Sequence, residues 1–419
     1  MIEIQPNPTN FRRLGLFDVN PPPSKLNELQ DKTRQAFLNA IEDGRIVLNE
    51  RKKCLCGGTE FSKIAAMDRF GLPFGSYLCS DCGLIFTSPF ISQNSLPLYY
   101  DEFYHKLTFG READPSLPLY QKGQGEKIFN ILKNRLSPNN LKILEIGAGS
   151  GSVMKEFMKA AKNDGFELTI TGFDYGSEYI NQFDPEGYNL TMLQGGLDEA
   201  ARGGCTYDVV IMSHVFEHFA DPSQELESLK RIIGPDSLIF IEVPGVLSLK
   251  SRYVYDCDFL IYLVSAHMFN FNLASLTRTL NLNGFKLLWG NEEAETIFTL
   301  GEQAVDVSEN AAMIKAYLED SEISRPLYAS LSPLRLKNSL GITKIEDRTK
   351  GLEDRTKGLE DRTKGLEDRT KIMESQMIDA MERVQYLSNY INDVRSSLPY
   401  RVLSWIYRML KNAIPRRIK

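Results

Sequence analysis

Three sets of residues have the types and spacing to do chemistry. The first is sulfur: Cys54-Leu55-Cys56-Gly57 and Cys79-Ser80-Asp81-Cys82-Gly83 form two close pairs, each followed by a glycine that permits a tight turn. Cys54, Cys56, Cys79 and Cys82 together offer a tetrahedral thiolate set with no position left open, so the expected ligand is structural zinc (Zn2+) rather than a catalytic metal. The first pair is spaced C-x-C, a tighter chelate than the usual C-x-x-C. The second set is a glycine-rich turn, Ile143-Leu144-Glu145-Ile146-Gly147-Ala148-Gly149-Ser150-Gly151, lying between an apolar strand pattern and a helical one. Gly147, Gly149 and Gly151 let the backbone turn sharply and approach a ligand closely. A dinucleotide fingerprint would need its third glycine at 152, which is Ser152. Asp174 ends the next apolar run, where a carboxylate can accept hydrogen bonds from both hydroxyls of a ribose. The third set is imidazole. His105, His214, His218 and His267 are the four histidines of the chain and its natural general-base candidates near neutral pH.

His214-Val215-Phe216-Glu217-His218 has the H-x-x-E-H spacing of inverted zinc proteases. That chemistry needs one helix face carrying both histidines, whereas this segment leaves an apolar strand and meets Pro222 soon after, so a protease is not expected. The aromatic stretch Tyr99-Tyr100-Asp101-Glu102-Phe103-Tyr104-His105 reads as the start of a loop over a pocket, with faces suited to a sugar ring. Cys205 and Cys257 stand alone and are expected to pack as small apolar side chains.

The elements that must hold these groups follow from periodicity. LKILEI, TITGFD, YDVVIMS and SLIFIEV are short apolar runs alternating with helical stretches, the pattern of an α/β Rossmann-like domain whose parallel sheet carries helices on both faces. A helix over 126–136 should precede it, and FKLLWG with TIFTLG should close it as a strand pair. Six regions are expected: a helical extension (1–50), a zinc knuckle (51–98), the ligand-binding α/β domain (99–305), a helical linker (306–341), a coiled coil (342–398) and a basic amphipathic helix (399–419).

The coiled coil rests on an internal repeat. EDRTK recurs four times at a strict seven-residue period, and with Leu352, Leu359 and Leu366 at d the same seam continues through Met373, Met377, Ala380, Val384, Leu387, Ile391 and Val394 to Leu398. Arg355 at g faces Glu360 at the following e, which suits parallel chains, so a homo-oligomer is expected, a trimer in preference to a dimer. Beyond Pro399 the residues Val402, Leu403, Trp405, Ile406, Met409 and Leu410 interleave with Arg401, Arg408 and Lys411, too charged to span a bilayer but fit to lie on an anionic membrane surface. Residues 399–419 carry +6, which leaves −12 for the rest of a chain whose net charge is −6. That acidic body excludes a general nucleic-acid binder. With no signal pattern and no apolar run of spanning length, the expected place is cytoplasmic, peripheral at the inner face of the cytoplasmic membrane.

The E-x-G-x-G-x-G turn resembles motif I of class I methyltransferases dependent on S-adenosyl-L-methionine. The likeness continues through the strand motif Tyr207 to His218, the Glu242-Val243-Pro244 run, the segment Ala266-His267-Met268-Phe269-Asn270-Phe271 and Asn283-Gly284-Phe285. By this resemblance Glu145, Gly147, Gly149, Gly151 and Asp174 bind the cofactor, Tyr175 and Leu197 contact its adenine, and Ser213 its methionine end. His267 matches a histidine that stands beside methyl group and acceptor in sugar methyltransferases, although the glutamate usual before it is here Ala266; His218 is the second candidate base. A four-cysteine knuckle ahead of such a domain is similar to zinc-containing deoxysugar methyltransferases. Methyltransferase, coiled coil and basic tail in that order resemble enzymes that cap bacterial O-antigen or related polysaccharides. The implied acceptor is a sugar hydroxyl of a lipid-linked glycan, with a nucleotide-linked deoxysugar as the alternative and a coiled-coil scaffold recruiting glycosyltransferases as a third reading.

Overall fold

The computed structural model describes residues 24–111, 123–255, 257–325 and 327–328, and five single positions between 377 and 389. The chain divides into two units, Met1–Arg335 and Leu336–Lys419.

The first unit opens with α1 (Glu28–Glu42), β1 (Leu48–Asn49), β2 (Phe61–Ala65), β3 (Gly75–Cys79), β4 (Ile85–Ser88) and β5 (Phe90–Ile91). Helix α1 is capped by Asn27, whose side chain accepts from the Gln30 amide while the Gln30 side chain accepts from Asn27 N–H, a reciprocal box that satisfies two free donors. The aromatic stretch is not a loop. It coils into successive helical turns, α2 (Leu96–Tyr99), a wide turn over Tyr100–Tyr104 and α3 (His105–Phe109), because Tyr99, Phe103 and Leu107 recur at helical spacing and are buried together.

The α/β layer follows in chain order: α4 (Gln124–Leu132), β6 (Leu141–Ile146), α5 (Ser152–Asn163), β7 (Leu168–Asp174), α6 (Ser177–Gln182), β8 (Leu190–Gln194), α7 (Leu197–Arg202), β9 (Tyr207–Ser213), α8 (Pro222–Lys230), β10 (Ile233–Glu242), α9 (Phe259–Tyr262), β11 (Phe269–Asn270), α10 (Leu273–Leu282), β12 (Phe285–Gly290) and β13 (Glu295–Leu300). Helix α4 thus starts two residues before the expected 126 and gives way to a tighter turn at Lys133–Arg135. Glu156 of α5 accepts from the N–H groups of Gly123 and Gly125 and so caps α4.

Seven strands form one mixed sheet in the order β12-β13-β10-β9-β6-β7-β8. β10, β9, β6, β7 and β8 run parallel, while β13 pairs antiparallel with β10 and with β12, the closing pair foreseen from FKLLWG and TIFTLG. Central β6 and β9 are buried almost along their whole length, as strands covered on both faces must be; edge strand β8 alternates buried and exposed. β6 lies between β7 and β9, so the chain leaves its neighbours in opposite directions and a crevice opens at the carboxyl ends of these strands.

A second sheet, β11-β4-β3-β2, joins the N-terminal module to the α/β layer, since β11 comes from between α9 and α10. Asn310, at the start of a helical stretch over 310–325, donates to the carbonyl of Cys82 and accepts from Asn272, the cap of α10. Within the linker expected at 306–341, residues 306–309 are irregular and 310–325 are helical, and the first helical turn is packed on the cysteine module through Asn310. In the second unit Met377, Met381, Val384, Gln385 and Asn389 are helical and exposed. The remainder of the expected coiled coil, the basic tail and residues 1–23 lie outside the described residues. No helix among the described residues is long and apolar enough to cross a membrane.

Candidate active site and cysteine cluster

Strand register brings the separate motifs into one row. Ile146 of β6 is level with Phe173 of β7 and Met212 of β9, so Gly147, Asp174 and Ser213, each one residue further on, emerge side by side; Glu242 of β10 is level with Ser213. The glycine turn is braced by Asp174, whose Oδ2 accepts from Gly149 N–H and Oδ1 from Gly176 N–H, both at 2.8 Å. Each oxygen keeps a lone pair for a further donor. Gly147 has φ +70°, and a Cβ there would lie 2.4 Å from Val215 Cγ2. The glycine turn and the histidine-bearing loop after β9 can therefore touch only because residue 147 has no side chain. Glu145 is buried behind the turn, and burial together with Asp174 pushes its carboxyl well above the usual range. Tyr175 is 72% exposed at the crevice, as a ring that stacks on a planar ligand would be, whereas Leu197 is buried at the start of α7. Ser213 Oγ donates to Glu242 at 2.9 Å, and Glu242 also receives Gln124 and, at 3.3 Å, the ammonium of Lys127, which pairs with Glu295 as well. Helix α4 is thereby tied to the carboxyl end of the sheet, a role the sequence did not disclose.

After β9 the chain turns through His214, held at φ +56°, into a short tight turn over Phe216–His218. This left-handed residue reverses the chain over the strand ends and sets Glu217 and His218 opposite His267, whose N–H and neighbouring Met268 N–H are fixed by Val264 and Glu217 carbonyls. The His218 and His267 rings are perpendicular at 5.0 Å between centroids. His218 Nδ1 donates to the Ala266 carbonyl at 3.1 Å, which fixes the tautomer and leaves a lone pair on Nε2; Tyr100 Oη lies 3.1 Å from the same Nδ1. Burial lowers the pKa of His218, and burial with the neighbouring His218 takes His267 down to about 3, so both rings are neutral at pH 7. Glu217 is buried. Burial alone would raise its carboxyl, but His214 foremost, and His218 and His267 when they carry protons, bring it to about 2. Tyr104 lies edge-on to His218 and Tyr100 tilted against it, and His105 reaches Tyr179 of α6 at 3.0 Å, so the aromatic turns roof the histidines and meet the helix that follows Asp174.

The four cysteines gather as foreseen. Their sulfurs all lie within 4.8 Å of one another, with Cys54 to Cys82 at 3.6 Å and Cys56 to Cys79 at 3.7 Å. Thiolates ~2.3 Å from a tetrahedral ion are about 3.8 Å apart, so the donor set fits zinc. Backbone turns complete both halves: Gly57 N–H reaches the Cys54 carbonyl and Gly83 N–H that of Cys79, with φ +89° and +71° at the two glycines. The expected result is that Cys79→Ser and Cys82→Ser each hold one zinc per chain fewer than wild type by elemental analysis, with thermal stability lowered; wild-type protein without zinc would refute the assignment.

Residues 120–288 match the family described as a methyltransferase domain. The methyltransferase calH of Penicillium decumbens is 27% identical over 158 residues, 35% of this chain and 41% of that protein, so the chain spans less than half of this relative. Similar solved structures include the magnesium protoporphyrin IX methyltransferase of Synechocystis (15% identity, 50% of this chain and 98% of that one, TM-score 0.35) and the CurJ carbon methyltransferase (17% identity, 50% and 70%, TM-score 0.35). The match to a methyltransferase domain thus falls on the α/β layer that carries the glycine turn, Asp174 and the His218–His267 pair.

Proposed function

We propose that the protein methylates a sugar hydroxyl on a lipid-linked surface polysaccharide, at the non-reducing end, and so stops chain extension. The observation carrying the chemistry is the contact of Val215 with Gly147, which sets the His218–His267 pair against the cofactor turn beneath Tyr100 and Tyr104. S-adenosylmethionine brings an activated methyl group, so this chain's residues have only to orient the acceptor and handle its proton. Asp174 holds the ribose hydroxyls, Gly147, Gly149 and Gly151 admit the methionine portion, Tyr175 and Leu197 flank the adenine, Ser213 and Glu145 lie at the methionine end, and His267, with His218 beside it, serves the acceptor hydroxyl. The tyrosine rings offer apolar faces for a sugar ring.

The acceptor class rests on the sequence beyond the domain. Heptads over 342–398 would assemble the chain into a homo-oligomer, a trimer ahead of a dimer, and 399–419 would bind an anionic membrane, where avidity multiplies a weak anchor. Met377 and Val384, at a positions of the seam, are 61% and 67% exposed in a single chain, as side chains that await a partner helix would be. Each EDRTKGL unit adds about 10 Å of helix. Removing whole units should therefore shorten the stand-off from the membrane and move the modal glycan length on a gel; an unmoved length in oligomeric, active variants would reduce the repeat to an oligomerisation device. A nucleotide-linked deoxysugar is the second reading, supported by the assembled cysteine module. Mass spectrometry of the glycan decides between them. One terminal O-methyl group, lost with the gene, is expected; a methyl on every repeat, or none, would overturn the terminal assignment.

A further inference from the structure

Glu217 is the least explained residue of the site. Its carboxylate is buried, and neither oxygen has a hydrogen-bond partner among the described residues. Three imidazole nitrogens converge on the single oxygen Oε1: His214 Nδ1 at 3.6 Å, His218 Nε2 at 3.8 Å and His267 Nε2 at 4.0 Å. Hydrogen bonds of this kind close to about 2.7–3.2 Å, so none of these contacts is one. Nor can His218 supply a proton to Oε1 as a neutral ring, because the Ala266 carbonyl holds its hydrogen on Nδ1 and turns the Nε2 lone pair towards the carboxylate. A lone pair facing a buried carboxylate is repulsive unless positive charge lies between them.

The distances state what that charge is. Two ligand atoms each ~2.1 Å from one ion lie about 3.0–4.2 Å apart, depending on the angle they subtend. Glu217, His218 and His267 each present one ligand atom, and the three lie within 4.8 Å of one another, so small rotations bring all three onto a common centre. We infer that Glu217, His218 and His267 form a divalent metal site on the acceptor side of the methyltransferase pocket, distinct from the cysteine cluster. Two imidazoles and a carboxylate select a first-row transition ion over Mg2+ or Ca2+, which prefer all-oxygen sets. The Nδ1–H of His218 bonded to a backbone carbonyl is the outer partner that orients a metal-bound imidazole. The H-x-x-E-H spacing thus supplies two ligands after all, with the third coming from His267 rather than His214.

Three protein ligands leave coordination positions open, and the acceptor hydroxyl is the group to fill one. This rests on the methyltransferase reading given above. The ion lowers the pKa of the bound hydroxyl, which releases its proton to water; the oxygen then forms a bond to the methyl carbon as the carbon–sulfur bond breaks and its electron pair returns to sulfur. The products are a methyl ether, S-adenosylhomocysteine and one proton. With the ion in place His267 is a ligand, and the proton leaves through solvent.

The test is equilibrium dialysis of the full-length protein against Co2+, with cobalt and zinc per chain counted by elemental analysis and S-adenosylmethionine affinity measured calorimetrically on the same samples. Wild type should take up one more metal ion per chain than Glu217→Gln or His218→Gln, with at least a hundredfold weaker Co2+ binding in both variants and unchanged cofactor affinity in all three. Unchanged cofactor affinity also shows that the variants fold. Equal metal content in wild type and variants would overturn the site, whereas loss of cofactor binding by wild type would instead strike the methyltransferase reading.

Discussion

Asp174→Ala lowers S-adenosylmethionine affinity by about 10²- to 10⁴-fold. Two ribose hydroxyls donating to an ionised carboxylate contribute about 1.5–3 kcal/mol each, and each 1.4 kcal/mol is tenfold in affinity. The structure adds a second loss, because Asp174 also accepts from Gly149 and Gly176 N–H and so holds the glycine turn open. Asp174→Asn keeps the size and one acceptor oxygen, and should fall between wild type and alanine. Isothermal titration calorimetry reads both. Wild-type affinity in the alanine variant would remove the carboxyl end of β7 from the cofactor site.

His267→Ala should leave cofactor affinity unchanged and reduce turnover at least a hundredfold, because the ring serves the acceptor hydroxyl either by taking its proton or by holding the ion that acidifies it. The ring lies beside His218 and Glu217, one loop away from the glycine turn, so its removal leaves the braces of that turn untouched. Turnover near wild type in single-turnover assays would move the chemistry to His218 or to a transfer that needs no such group.

Much of this was legible locally. LKILEI, TITGFD and YDVVIMS are β6, β7 and β9, because fully covered parallel strands leave an uninterrupted apolar record. Gly147, Gly149 and Gly151, all at positive φ, show themselves through a backbone that few other residues tolerate. The cysteine pairs met as their spacing implied. What stayed hidden depends on contacts distant in sequence. Nothing in Phe269-Asn270 announces that it adds a strand to the cysteine module, and nothing near Gln124 and Lys127 points to Glu242 and Glu295. The aromatic run deceived for another reason: its tyrosines resemble loop composition, while the helical spacing of Tyr99, Phe103 and Leu107 carried the true signal. Glu217 was visible inside a protease-like spacing and at the end of the strand motif Tyr207 to His218, without a role in either, and its meaning came from His267 folding back upon it.

The most direct test of the account is methyl transfer itself. Purified full-length protein incubated with methyl-labelled S-adenosylmethionine and membranes bearing lipid-linked glycan should place label in the solvent-extracted lipid-linked saccharide as a sugar methyl ether, and Asp174→Ala should place none. Label appearing only in a nucleotide-linked sugar, or no label in any saccharide although the protein binds the cofactor, would contradict it.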